Sequence, residues 1–349
     1  MFQERVLLLV SQIYGNGGIP RFNRNLINAL NESDCELTVL SMQDSVSSTE
    51  SIHCAGGNKI KFICKYVQLS VNIRPTKVII GLLNFAPISI LKTVIRFKVV
   101  VILHGVEGWY KRKKLIPFYR FVDRFWAVSD YTKFKFSISN NIQKKRISRI
   151  FNTLQEDWCL DNAAISYGKY FLSVTRLDVC EGYKGVDLTI LAVAKLGDLL
   201  RKRGWKYKIV AKGTALEWHK KLAVEQGVSD IVEFMENVDD VFLKTLYQDC
   251  SFFILPSTGE GFGIVFLEAM VHSKPCIGCK NCGTEDVIEH GKTGFLIDQD
   301  IHRIESTILE LIGDDELLRK IGKSGRERFF ERFSFVEFKK KIYLELCAV

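Results

Sequence analysis

The chain has 349 residues, 47% hydrophobic and 26% charged, a globular composition too long for one ordinary core, so two domains are expected. Its net charge of +9 is unevenly placed: residues 1–165 hold 23 Lys and Arg against 12 Asp and Glu, and residues 166–349 hold 26 against 28. A basic first half points to an anionic partner there, and ten cysteines in this length exclude a disulfide-dense secreted scaffold.

The start, MFQERVLLLVSQ, has too short an apolar run for a secretory signal, and the chain reads as cytoplasmic with reduced thiols. VLLLV (6–10) is the first continuous apolar run, as a strand buried on both faces requires. YGNGGIPRFNRNL follows and opens a helix, where Gly17 and Gly18 let backbone N–H groups approach an anion. A turn that only packs strand against helix accounts for the same glycines. The run after the second strand, LTVLS (37–41), is MQD, so a dinucleotide fingerprint is missing.

Residues 43–65 carry no pattern that can be placed. KVIIGL (77–82), VVVILH (99–104) and FWAVS (125–129) continue the strand series. Residues 78–103 are apolar enough to suggest a membrane span, but Lys92, Arg96 and Lys98 would each cost about 2.5–3.5 kcal/mol at a helix centre. Pro87 breaks the run further, and two strands flanking a helix fit better. His104 closes the second of these strands, where structural and ligand-facing roles are both open.

From Trp109 to Trp126, WYKRKKLIPFYRFVDRFW interleaves Lys111, Arg112, Lys113, Lys114, Arg120 and Arg124 with seven aromatics. Aromatics for an interface and cations for headgroups suit an anionic membrane surface, although some of the aromatics, Phe125 and Trp126 in the strand above all, belong to the core. A solvated basic face is the plainer alternative, and nucleic acid is not expected. QEDWCLDNAAISYG (155–168) is polar and aperiodic, and marks the seam between halves.

The pattern then restarts with FLSVTRL (171–177), YKIVAKG (207–213), VEFM (232–235), FFILPS (252–257), PCIGC (275–279) and GFLID (294–298). Strand–helix alternation of this kind builds doubly wound parallel sheets, so the fold class is α/β with two Rossmann-like domains. The expected bounds are 1–165 and 166–333, with 334–349 a C-terminal helix capped by Ser334. Cys276, Cys279 and Cys282 have metal-like spacing without a fourth ligand, and a buried strand explains them better; no metal site is expected.

Arg176 ends a strand and Lys184 precedes a helix, a fork and a point charge suited to a diphosphate, or else two solvated charges. In PSTGEGFGIVFLEAM, the backbone at Gly261, Phe262 and Gly263 opens a helix start for a phosphate or hydroxyl. Glu268 is placed to accept from a ribose diol and Glu260 from sugar hydroxyls. A glutamate that merely favours the helix dipole is the alternative.

Together these motifs resemble retaining glycosyltransferases of family GT4, with the GT-B fold. The family's E-x7-E matches at Glu260 and Glu268, its donor Arg and Lys at Arg176 and Lys184, its glycine loop at GNGGIPRFNRNL, and its HG at His104 and Gly105. CGTEDVIEHGKTGFLID also matches, and nearly the whole chain is covered. The chain departs from the family at Lys212, where glycine is usual, and at Pro20 in the glycine loop.

The resemblance implies two domains facing a cleft, the first binding an acceptor and the second a nucleotide diphosphate sugar, with the final helix crossing back. It implies transfer of a hexose-type sugar to a lipid-linked saccharide in surface polysaccharide assembly, at the inner face of the cell membrane. It implies no cofactor and no metal requirement. His104, Glu260, Arg176 and Lys184 would be catalytic; Gly17, Gly18, Gly261, Phe262, Gly263 and Glu268 would join the two cations in holding the donor. A phosphorylase or epimerase on the same fold, or a non-catalytic nucleotide-sugar or nucleic-acid binding module, are the rival readings.

Overall fold

The computed structural model describes residues 4–159 and 165–349. They form two compact units: Met1–Leu154 with Ser334–Val349, and Gln155–Phe333. The seam expected from polarity includes residues 160–164, which lie outside the described residues.

In the first unit, β1 (Glu4–Val10), β2 (Cys35–Ser41), β3 (Ile52–Cys54), β4 (Lys77–Ile80), β5 (Lys98–Leu103), β6 (Arg124–Ala127) and β7 (Ile147–Arg149) form one parallel sheet. Their order is β3-β2-β1-β4-β5-β6-β7. In the second unit, β8 (Tyr170–Arg176), β9 (Lys206–Lys212), β10 (Val232–Met235), β11 (Phe252–Leu255), β12 (Cys276–Cys279) and β13 (Gly294–Ile297) are also parallel, in the order β10-β9-β8-β11-β12-β13. Each sheet reverses direction of growth beside its first strand, which leaves a crevice at the carboxyl ends of β1 and β4 and of β8 and β11.

The inner strands are buried along nearly their whole length because both faces are covered. On one face of the first sheet, Leu7, Leu9, Val78, Ile80, Val99 and Val101 share a core with Phe62, Tyr66, Tyr119 and Phe136. The helix Gly18–Asn31 packs against the last helix, Phe335–Cys347, through Phe22 and Phe338, whose ring centroids are 5.7 Å apart. Ser334 caps that last helix by accepting from the Glu337 N–H at 3.5 Å.

Among the described residues, no helix is long and apolar enough to cross a membrane. Residues 78–103 fold as β4, a 3-10 segment Leu83–Thr93 and β5. Cys276, Cys279 and Cys282 are buried free thiols on and just after β12, and burial pushes the Cys279 thiol up to about 12. Among the described residues, no group of three or more His, Cys, Asp or Glu is placed to hold a metal ion.

Candidate active site

In the second unit, the residues singled out above converge on the crevice between β8 and β11. Arg176 is the last residue of β8. Its Nε and Nη2 donate to the two carboxylate oxygens of Glu181 at 2.7 and 2.6 Å, and Asp178 lies 3.1 Å from Nε. The Glu181 side chain is only 9% exposed, whereas that of Arg176 is 61% exposed. A buried carboxylate therefore orients the fork of a side chain that is otherwise largely exposed.

Tyr183 adds a hydroxyl hydrogen bond to Glu181 at 3.0 Å. Burial pushes the Glu181 carboxyl up, but the Arg176 fork, the Lys184 charge and the Tyr183 hydroxyl outweigh it and hold the group below its usual range. Arg176 is correspondingly held above its usual range, first by its hydrogen bonds to Glu181.

Lys184 closes the short 3-10 segment Val179–Lys184, just before the helix Val186–Lys195. Its ammonium donates to Glu260 Oε1 at 2.7 Å, with both side chains largely buried. Two residues read separately from the sequence are thus one ion pair that ties the loop after β8 to the loop after β11. Other contacts knit the same loops: the Thr258 N–H donates to the Tyr183 carbonyl at 3.1 Å. Gln299 Nε2 donates to the carbonyls of Tyr183 and Pro256 at 2.8 and 2.7 Å.

Gly263, at φ 89°, caps the helix Ile264–Val271 in the left-handed region that glycine tolerates. The Phe262 ring is buried against Phe333, with centroids 5.8 Å apart, so its side chain is core rather than ligand surface. Glu268 lies in the second half of that helix and is 1% exposed. A cavity of about 380 Å³ is lined by Asp178, Glu181, Lys184, Thr214, Trp218 and His219. Another of about 360 Å³, lined by Tyr167, Trp205 and Arg319 among others, contains none of the site residues.

In the first unit, Gly17 has φ 115° and caps the helix that begins at Gly18. Arg24 donates to the carbonyls of Ile13 and Gly15 at 2.6 and 3.0 Å, and Asn23 to that of Gln12 at 2.8 Å. Asp44, three residues past β2, accepts from the Ile13 N–H at 2.6 Å and from the Ser41 hydroxyl at 2.6 Å. The acid of the MQD run is therefore used to hold the glycine turn in place.

His104 follows β5, and its Nε2 lies 2.9 Å from the Gly81 carbonyl, which can only accept, so Nε2 carries the proton. The ring meets Phe22 edge-on at 5.1 Å. Burial holds the imidazole below its ordinary value, against the opposing pull of Glu107 and Gly81.

Arg176, Lys184, Glu260 and the Gly261–Gly263 turn are thus gathered in one unit, and Gly17, Gly18 and His104 in the other. Reading the sequence alone misses Glu181 and Tyr183, which stand in the run CEGYKG (180–185) after Arg176; the signal was an acid five residues after that arginine. Gln299 left no local signal.

The basic stretch from Trp109 to Trp126 needs a correction. Trp109, Tyr119, Phe125 and Trp126 are buried, Phe118 and Phe121 are half-buried, and of the seven aromatics only Tyr110 is exposed. Most of the aromatics serve the core, Phe125 and Trp126 within β6 and Trp109 and Tyr119 in the short helical turns before it. Lys111, Arg112, Lys113 and Lys114 do remain on the surface.

Two parallel Rossmann-like units are the architecture of the GT-B fold, and paired cations and carboxylates stand at the switch point of the second sheet. Residues 161–328 match the family Glycosyl transferases group 1, and this match together with the glycosyltransferase relatives supports a glycosyltransferase. The chain is 25% identical over 268 residues to the Methanocaldococcus jannaschii glycosyltransferase MJ1178, covering 74% of this chain and 71% of that protein. It is 27% identical over 225 residues to the Staphylococcus aureus capsular polysaccharide biosynthesis glycosyltransferase CapM, covering 60% and 57%. Among solved structures, Anabaena Alr3699/HepE, in complex with UDP and glucose, superposes with a TM-score of 0.82 at 18% identity, over 99% of this chain and 100% of that one.

Proposed function

We propose that this glycosyltransferase moves a hexose-type sugar from a nucleotide diphosphate sugar to a saccharide acceptor, with retention of anomeric configuration. The observation that carries the reading is the oriented Arg176 fork beside the Lys184–Glu260 pair at the switch point of the second sheet. The bond from the anomeric carbon to the diphosphate breaks with its electron pair leaving on phosphate, and the acceptor oxygen takes its place with release of a proton. Negative charge grows on the diphosphate, where two fixed cations stabilise it. Glu260 and Glu268 then serve donor hydroxyls, and His104, whose Nε2 donates to Gly81, offers Nδ1 as an acceptor.

The acceptor in this reading is lipid-linked, in assembly of a surface polysaccharide, and the enzyme works peripherally at an anionic membrane. CapM's part in capsular polysaccharide biosynthesis supports it, as does the excess of cations in residues 1–165.

The test is release of nucleoside diphosphate from a panel of UDP- and GDP-sugars, with and without saccharide acceptors, in buffer containing EDTA. Release from at least one donor, with an NMR coupling constant showing a retained anomer in the product, is expected. No release from any donor sinks the reading. An inverted anomer removes the retaining part alone.

A further inference from the structure

Residues 43–65, which no motif explained, lead into the helix Lys59–Ile73. Its inward face is ordinary: Phe62 and Tyr66 join the core, the Phe62 and Phe85 rings lie 5.2 Å apart, and the Tyr66 hydroxyl reaches the Ile88 carbonyl at 3.4 Å. Its outward face is not. Ile60, Ile63, Val67 and Val71 are 40–75% exposed, and Cys64 stands exposed among them. At 100° per residue these five fall within about 100° of arc, opposite Phe62, Tyr66, Leu69 and Ile73. The helix is apolar on two sides while packed on one.

Charge supplies the second observation. The helix carries exposed Lys59 and Lys61 and no acid, and exposed Arg74 follows it, while half-buried Lys65 donates to the Cys54 carbonyl at 3.2 Å. Residues 58–150 as a whole hold 20 Lys and Arg against 3 Asp and Glu. The neighbouring segment Leu83–Thr93 adds exposed Ile90, and Val94 and Arg96 follow it on the surface.

We propose that the outward stripe of this helix is the surface by which the enzyme lies on an anionic lipid bilayer, its apolar side chains entering the headgroup boundary and Lys59, Lys61 and Arg74 at its flanks meeting lipid phosphates. The inference deepens, and rests on, the reading of a lipid-linked acceptor, and it moves the contact away from the buried aromatics of residues 109–126. A second copy of the chain is the poorer occupant. The stripe is about 16 Å long and one helix face wide, on the order of 200 Å², well short of the roughly 800 Å² per partner of a stable interface. Self-pairing would also bring like charges together.

The experiment uses the full chain with vesicles of phosphatidylglycerol and phosphatidylcholine, and of phosphatidylcholine alone. Wild-type protein is expected to co-sediment with the anionic vesicles at moderate salt and at least tenfold less with the neutral ones. Replacing Ile60, Ile63, Val67 and Val71 by Ser is expected to weaken anionic binding at least tenfold. Donor hydrolysis and melting temperature should stay unchanged, since all four side chains are exposed.

A second readout needs no variant. Anionic vesicles should slow iodoacetamide alkylation of Cys64 several-fold and leave exposed Cys180, in the second unit, unaffected. Undiminished vesicle binding by the Ser variant, unshielded Cys64, or equal binding to neutral vesicles overturns the proposal. So does a wild-type dimer in light scattering that the Ser variant loses. A chain that binds vesicles through this stripe yet hydrolyses no donor would instead count against the proposed function.

Discussion

Arg176 matters because of what Glu181 does to it. An arginine at a strand end is a flexible charge until something fixes its plane, and here a buried carboxylate takes two of its five N–H groups. Arg176→Ala is expected to lower turnover by about 10²–10³, the scale of losing one stabiliser of developing charge. Glu181→Ala should raise KM and lower kcat less severely, with Glu181→Gln in between. If Glu181 acts through Arg176, the double variant should be no slower than Arg176→Ala, and multiplied effects would refute the positioning role. His104 gives a pH handle. Its folded pKa is depressed by burial, so its contribution is fully present above the ordinary imidazole value of about 6.5 and is lost as pH falls below it. His104→Gln should flatten the fall in melting temperature as pH drops below about 6.5; an unaltered slope would show that the proton goes elsewhere.

At the scale of elements, the site depends on a close backbone approach. A Cβ at Gly283 would lie 2.1 Å from the Gly261 carbonyl oxygen and 2.4 Å from its carbon, while the Gly283 N–H holds the Glu260 carbonyl at 2.8 Å. Gly283→Ala must therefore displace the turn that carries Glu260. A loss of about 1–3 kcal/mol is expected, the usual cost of overpacking, together with a fall in turnover. Gly313→Ala, where a Cβ meets nothing within 4 Å, is the control and should leave turnover unchanged. Full activity in Gly283→Ala, measured beside its melting curve, would mean the turn can move without consequence. This packing also marks where reading the sequence stops. Continuous apolar runs such as VVVIL and FFIL declared their strands, because burial on both faces demands that composition. β3 and β7 went unread: each has three residues at a sheet edge, too few to establish a pattern. The aromatics of residues 109–126 misled for a related reason, since alternation with lysines looks alike on a membrane face and on a half-buried connection. Arg176, Lys184 and Glu260 were legible as motif residues. Their pairing, and the part of Glu181, Tyr183 and Gln299, depend on loops meeting from distant parts of the chain, which no local pattern records.

At the scale of the molecule, the chain's last 16 residues belong to its first unit. Phe335, Phe338, Ile342 and Leu346 are buried there, Phe338 on Phe22, and Lys339 meets Glu32 at 2.6 Å. At about 1.5–3 kcal/mol for each buried apolar side chain, the helix contributes about 6–12 kcal/mol. The whole stability of an ordinary domain is about 5–15 kcal/mol. Ending the chain after Phe333 should therefore unfold the first unit and leave the second, Gln155–Phe333, intact. Unfolding enthalpy scales with the number of ordered residues, so calorimetry of the truncated chain should find about half the enthalpy of the full one. Limited proteolysis should cut residues 4–154 and spare the rest, and Ile342→Ala alone should cost about 2–5 kcal/mol. A truncated chain with undiminished enthalpy would show that the first unit holds without its final helix.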